Sequence, residues 1–343
     1  MRKPFVLPIL CILAPFTAGA AFGQTLAEPV PVRAGGVVTD FGFWPGEWLI
    51  ENTRFDAENE VFVNGGVARS SAELLLDGRL LLERWEGEDG AIEAFCGLTL
   101  RYFDPGRGRW VALKNWPAGD PLAAQFTRTE GSFEDGRIVL HPPRVYLGNF
   151  DVEQYLSTRS VVGDVSGDAF RVQLQRPVNG QVWTATWAMD YLRESEAQVG
   201  PMRIDAVPET AASEAEQPRL TDWLVGEWSA EGVSVRVSSV LRGLGFVVSV
   251  EADRGDVRAS AVLAAAWDAR TESWQIREVG LNEPLRSLVW DVVGRVRDTG
   301  LVLRSKGTDD LGGMVFRRLQ GGGMQFELTL PDGERLDVEL TKR

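Results

Sequence analysis

Among the side chains able to do chemistry, Glu83 stands out, because it falls in the alternating run Leu80-Leu81-Leu82-Glu83-Arg84-Trp85-Glu86. Residues of one parity share one face of a strand, so Glu83 lies beside Leu81 and Trp85. Turned inward, a carboxylate among apolar walls can serve as acid, base or hydrogen-bond anchor. Turned outward, it would pair with a basic neighbour such as Arg101 on the next strand. His141 is the single histidine, within Leu140-His141-Pro142-Pro143-Arg144. It reads either as a barrel-rim residue or as a ligand-binding or acid/base group. One histidine excludes a His-rich zinc site, and Ser-His-Asp catalysis would have to recruit it without any Gly-x-Ser-x-Gly turn before it. Cys96, in Phe95-Cys96-Gly97-Leu98, reads as a small buried hydrophobe rather than a reactive thiol. There is no glycine-rich phosphate loop, dinucleotide fingerprint or calcium loop, so no cofactor and no metal are expected.

Positioning such residues falls to short strands. Trp110, Ala112, Lys114 and Trp116 alternate with Val111, Leu113 and Asn115, and Phe326, Leu328 and Leu330 alternate with Glu327 and Thr329. Turn signals separate these runs at hairpin spacing: Asp104-Pro105-Gly106, Asp135-Gly136, Asn179-Gly180 and Pro331-Asp332-Gly333. Helical periodicity is nearly absent. Closing such a meander removes its exposed edges, which favours a barrel over an open sheet. Strand alternation then allows Trp85, Tyr102, Trp116 and Trp183 to line a ligand cavity, or simply to fill the barrel.

The meander is written twice. Phe43-Trp44-Pro45-Gly46-Glu47-Trp48 returns as Trp223-Leu224-Val225-Gly226-Glu227-Trp228. Phe103-Asp104 followed by Trp110 matches Trp267-Asp268 followed by Trp274, and Phe126, Gly131 and Gly136 match Trp290, Arg295 and Gly300 in the same register. The copies differ where chemistry is expected: in place of Glu83 and Trp85 the second has only aliphatics near Phe246-Val247-Val248-Ser249-Val250.

A Gly-x-Trp at the first strand, an antiparallel meander behind it and an Arg near the end of the last strand resemble the lipocalin-like (calycin) superfamily. The bulky-bulky-x-Gly-Glu-Trp opening is most similar to its uncharacterised secreted bacterial members. The resemblance implies two tandem antiparallel up-and-down β-barrels in an all-β chain. It also implies that Trp48 stacks with Arg193, and Trp228 with Arg343, to close one end of each barrel. The more distantly similar nitrobindin-like barrels bind haem through a histidine in their later strands. Here 168–193 and 314–343 contain none.

The chain opens on Met1-Arg2-Lys3, an apolar stretch from Pro4 to Phe16 and small residues to Gly23, the pattern of a secretory signal peptide over 1–23. A flexible leader over 24–38, a first barrel over 39–194, an acidic Pro/Ala-rich linker over 195–218 and a second barrel over 219–343 follow. The apolar stretch is too short to span a bilayer, and no other long one exists. A net charge of −13 argues against nucleic acid and anionic membrane surfaces as partners. The expectation is an exported, periplasmic or secreted, non-enzymatic binder of a small hydrophobic or amphipathic molecule in the first barrel. Trp85, Tyr102, Trp116 and Trp183 would be its walls, Glu83 and His141 its polar anchors. The alternatives are a cell-envelope interaction protein with filled barrels, or a hydrolase or isomerase using Glu83 and His141.

Overall fold

A computed structural model of the chain describes residues 41–87, 96–104, 107–115, 126–142, 146–147, 150–151, 158–178, 182–194, 223–243, 245–254, 257–268, 273–280, 295–297, 300–304, 313–329 and 335–343. The segments expected to be a signal peptide, a leader and a linker, together with Trp116, lie outside them.

The first sheet runs β1 (Gly46–Asp56), β2 (Val61–Leu75), β3 (Leu80–Gly87), β4 (Cys96–Asp104), β5 (Arg109–Asn115), β6 (Phe126–Glu134) and β7 (Arg137–His141) as a plain meander. A separate pair, β8 (Tyr146–Leu147) and β9 (Phe150–Asp151), interrupts it before β10 (Arg159–Gly163), β11 (Ala169–Val178) and β12 (Val182–Arg193). Pairing of β1 with β12 closes the ten strands into a barrel, with Trp48 opposite Arg193. Turn chemistry sets the local register: Asp135 and Gly136, at φ of 48° and 79°, make the tight β6–β7 hairpin that an Asp-Gly pair favours.

The second sheet contains β13 (Gly226–Ala230), β14 (Val233–Val240), β15 (Gly245–Arg254), β16 (Val257–Asp268), β17 (Ser273–Gly280), β18 (Arg295–Arg297), β19 (Gly300–Arg304), β20 (Gly313–Arg318), β21 (Met324–Thr329) and β22 (Arg335–Lys342). It is again antiparallel, with β13 and β22 adjacent at its middle and β17 and β18 at its ends. The chain is thus all-β with two antiparallel sheets. The first is a closed barrel, and the second curls as a half-barrel around Trp228, Phe246, Phe316 and Phe326. No helix among the described residues is long and apolar enough to cross a membrane.

The first barrel has apolar side chains on both faces of β3 to β5. Leu81, Trp85 and Ala112 belong to its interior, whereas Leu82, Leu98, Leu100, Tyr102, Val111 and Leu113 point the other way. That outer face is covered by the outer face of the second sheet, through Val247, Val262, Ala264, Ala266 and Val279. An ion pair between Glu73 and Arg236 at 3.6 Å flanks the joint.

On the same strand face as Val111 and Leu113 sits Asn115, fully buried, with neither amide atom hydrogen-bonded. Such a group carries its desolvation cost without return. Asn115→Leu should therefore stabilise the protein by about 1–3 kcal/mol in urea unfolding; a loss of stability would mean that the amide has a partner in water.

Candidate functional site

The site is built from the closed end of the first barrel upward. Gly46 lies at φ +128°, where a side chain is strained, and the Arg193 guanidinium packs where a Cβ would stand. Across the ladder the same guanidinium lies 4.2 Å from the Trp48 ring centroid, an arrangement worth about 0.5–1 kcal/mol at an exposed position. Trp48 donates its Nε1–H to the Trp44 carbonyl at 2.6 Å. Trp44, Phe170 and Tyr191 pack around it, with Phe170 and Tyr191 stacked at 4.3 Å. This end of the barrel is an aromatic plug.

The second sheet repeats the device with one change. Trp228 donates to the Leu224 carbonyl at 2.9 Å, and Gly226 has φ +138°. The cation over Trp228 is Lys342, at 5.5 Å, not Arg343. Lys342 is the residue opposite Trp228 in the ladder, so Arg343 falls one step beyond. There Arg343 bonds the Ser229 hydroxyl at 2.8 Å and, through its backbone N–H, the Glu227 carbonyl.

Immediately inside the plug the first barrel turns polar. Register and alternation place Glu83, Thr99, Lys114 and Thr127 in one row across β3 to β6, and Leu81, Arg101, Ala112 and Thr129 in the next. Glu83 is 1% exposed, facing inward. Its Oε1 accepts hydrogen bonds from the Ser70 hydroxyl at 2.8 Å and the Tyr191 hydroxyl at 3.0 Å, and Oε2 lies 2.7 Å from Arg101 Nη2. The two orientations open for Glu83 in sequence are reconciled: it faces the interior and pairs with Arg101 as well, because Arg101 also points inward. Arg101 is 4% exposed and stacks over Trp44 at 4.0 Å. Burial, and next the Glu83 charge, hold the Tyr191 phenol well above its ordinary range, so it remains a donor at neutral pH.

Lys114 crosses the barrel to donate to the Ser160 hydroxyl of β10 at 2.9 Å. Desolvation, reinforced by the Arg101 charge and only partly offset by Glu83, pushes its ammonium down to about 7. A basic group whose folded value is depressed leaves the folded state proton-poor relative to the unfolded one, so stability rises with pH above the folded value. Lys114→Met removes this term. Its stability advantage over the native protein should be greatest near pH 6 and shrink by on the order of 1 kcal/mol per unit above about pH 7, read by urea unfolding across pH. A pH-independent difference would mean that Lys114 is solvated.

The expected site residues therefore divide. Glu83 and Trp85 share the barrel interior, where Trp85 packs edge-on against Trp187 at 6.4 Å. Tyr102 belongs instead to the layer between the barrels, since Arg101 takes the inward position on β4. His141 alternates with the inward Leu140 and so faces outward, where its ring meets Trp183 at 5.8 Å; Arg159 lies over Trp183 at 4.2 Å. Glu83 and His141 consequently do not share one cleft. Sequence reasoning missed Ser70, Lys114, Ser160 and Tyr191 as members of the cluster. The available signal was Thr99 and Arg101 alternating with Leu98, Leu100 and Tyr102, a strand polar on one face whose apolar face is claimed by another layer. Among the described residues no group of three or more metal-ligating side chains comes together.

No family model matches the chain, and no curated protein matches it. Among solved structures it is similar to a protein of unknown function of the DUF3598 family from Nostoc punctiforme, with 12% identity and a TM-score of 0.25, over 88% of this chain and 95% of that one.

Proposed function

We propose that the chain is an exported, non-enzymatic binder of a small hydrophobic or amphipathic molecule, held inside the first barrel. The observation that carries this reading is the placement of enclosed polarity. Asn52, Ser70, Glu83, Thr99, Arg101, Asn115 and Ser160 are the buried polar residues among those described, and all belong to the first barrel. Apart from Asn115, they face or adjoin its interior, within walls of Leu81, Trp85, Ile138, Leu140, Val172 and Met189. An apolar enclosure with a few placed polar groups is the ordinary composition of a small-molecule site. The second sheet has an apolar core of the described residues and supports a different role, as the docking partner that covers β3 to β5.

Kinship with the secreted lipocalin-like proteins, and descent of the two sheets from one duplicated module, belong to the same proposal. They are supported by the paired glycines at positive φ, the two Trp-to-carbonyl bonds four residues apart, and a cation over each Trp. Native mass spectrometry of the protein, before and after denaturation and solvent extraction, tests the binding reading. A discrete extra mass that extraction removes is the expected result. A clean apo mass after gentle recovery from the native host would overturn the reading in favour of an interaction protein with filled barrels.

A further inference from the structure

We infer that the outer apolar face of β3 to β5 is a docking face for the second sheet of any copy of this chain, so that two chains pair by exchanging second sheets across the same joint. The inference goes beyond the binding reading and stands whether or not the barrel holds a ligand.

The two faces that meet are the same face of the two sheets. One anchor is the turn after β2, where Leu76 has φ 53°, and the turn after β14, where Leu241 has φ 54°. A bulky residue in the left-handed region is uncommon and persists only where its surroundings demand it. Both leucines are buried in the layer between the sheets. Followed from these turns, Leu82 answers to Val247. The other anchor is Trp110 with Trp274, from which Leu100 answers to Ala264. The ladders join the two anchors: Leu82 pairs with Leu100 and Leu100 with Leu113, and in the same order Val247 pairs with Ala264 and Ala264 with Arg277. A patch packed on its own counterpart is the construction of a two-fold dimer, here written into one chain.

Size and charge make each face fit the other rather than itself. Leu100 and Tyr102 answer to Ala264 and Ala266, all fully buried in the shared layer. Two first faces would set leucine and tyrosine against their own copies, and two second faces would lack the bulk to fill the layer. Two further contacts cross the joint, Arg236 with Glu73 at 3.6 Å and Arg277 over Phe126 at 5.6 Å. The counterparts of Arg236 and Glu73 are Ser71 and Ser238, so pairing like with like forfeits the ion pair.

The occupant of the face is therefore specified by the joint itself. Only 195–222 ties the first barrel covalently to the second sheet. Exchange needs no new contact, because two chains form two joints from the residues that make the single-chain one. Concentration decides between the arrangements, since a tether holds its ends at an effective concentration on the order of 1 mM. Left open, either face would expose a contiguous apolar surface of the kind that marks an interaction site.

The test uses two full-length variants of different mass, Leu100→Asp, which spoils the first face, and Ala264→Asp, which spoils the second. Neither has an intact pair of faces, within one chain or between two of its own kind. A mixture has one, between the first face of the Ala264→Asp chain and the second face of the Leu100→Asp chain. Native mass spectrometry of the mixture is expected to show a one-to-one heterodimer at least about tenfold more abundant than either homodimer. No heterodimer, with circular dichroism showing both variants folded, or homodimers of equal abundance, would overturn the inference. Should either variant not fold, two mass-tagged native chains refolded together from urea at about 1 mM replace them. Mixed dimers that persist on dilution are then expected, and monomers alone would overturn the exchange. None of these outcomes bears on the binding reading, which the extraction experiment decides.

Discussion

Glu83→Leu should destabilise the protein by about 3–5 kcal/mol in urea unfolding, although leucine is a natural occupant of a barrel interior. The substitution leaves the Arg101 guanidinium buried without a counter-ion and removes the acceptor of Ser70 and Tyr191 at one stroke. The cost arises from the stranded cation rather than from the worth of the pair, and this distinction is measurable. Forming a buried pair roughly breaks even against apolar replacements of similar volume, so Glu83→Leu combined with Arg101→Leu should recover most of what the single change lost. The stacking of Arg101 over Trp44 at 4.0 Å limits that recovery, because the double variant forfeits it. A double variant no better than the single one would mean that Arg101 relaxes to solvent when Glu83 is gone, and that the enclosed cluster is not rigid.

Trp44→Ala comes next in size, at about 3–5 kcal/mol. Trp44 is fully buried and touches Phe41, Phe43, Phe170 and Tyr191 as well as Arg101, so truncation opens a void at the junction of plug and charged layer. Its Nε1–H has no hydrogen-bond partner, and its bond with Trp48 uses the backbone carbonyl. Trp44→Phe therefore sacrifices no hydrogen bond and keeps an aromatic face for Arg101. It should cost less than half as much as the alanine change, or about 1–2 kcal/mol. Chemical unfolding followed by circular dichroism gives both values. Near-equal losses would show that the indole is held by something other than packing and ring electrostatics.

Both predictions concern a layer that was half legible beforehand. Glu83 announced itself because a carboxylate interrupts an apolar parity, and Trp48 with Arg193 announced themselves through the Gly-x-Trp opening. Lys114, Ser160 and Tyr191 gave no such signal. Each is unremarkable in its own strand, and the bond from Lys114 to Ser160 links strands far apart in sequence. Tyr102 and His141 illustrate a different limit. Each lies one residue from a position that does face inward, Arg101 and Leu140, and a pleated strand reverses its facing at every step.

What the sequence by itself determined is the class of the fold: period-two alternation, Asp-Gly and Asn-Gly turns and the doubled Gly-Glu-Trp opening dictate antiparallel strands, two sheets and a tryptophan at the start of each. These are local properties, set by backbone conformation and side-chain parity within a few residues. Only the tertiary structure decided which parity is the inside. On β3 to β5 both faces are apolar enough to be buried, and both are, one by the barrel interior and the other by the second sheet. Burial of the Leu98, Leu100 and Tyr102 face against a neighbouring layer is what turns Thr99 and Arg101 inward. That choice depends on contacts with residues more than a hundred positions away, and it is the reason an aliphatic strand face became an interface and a polar one became the candidate site.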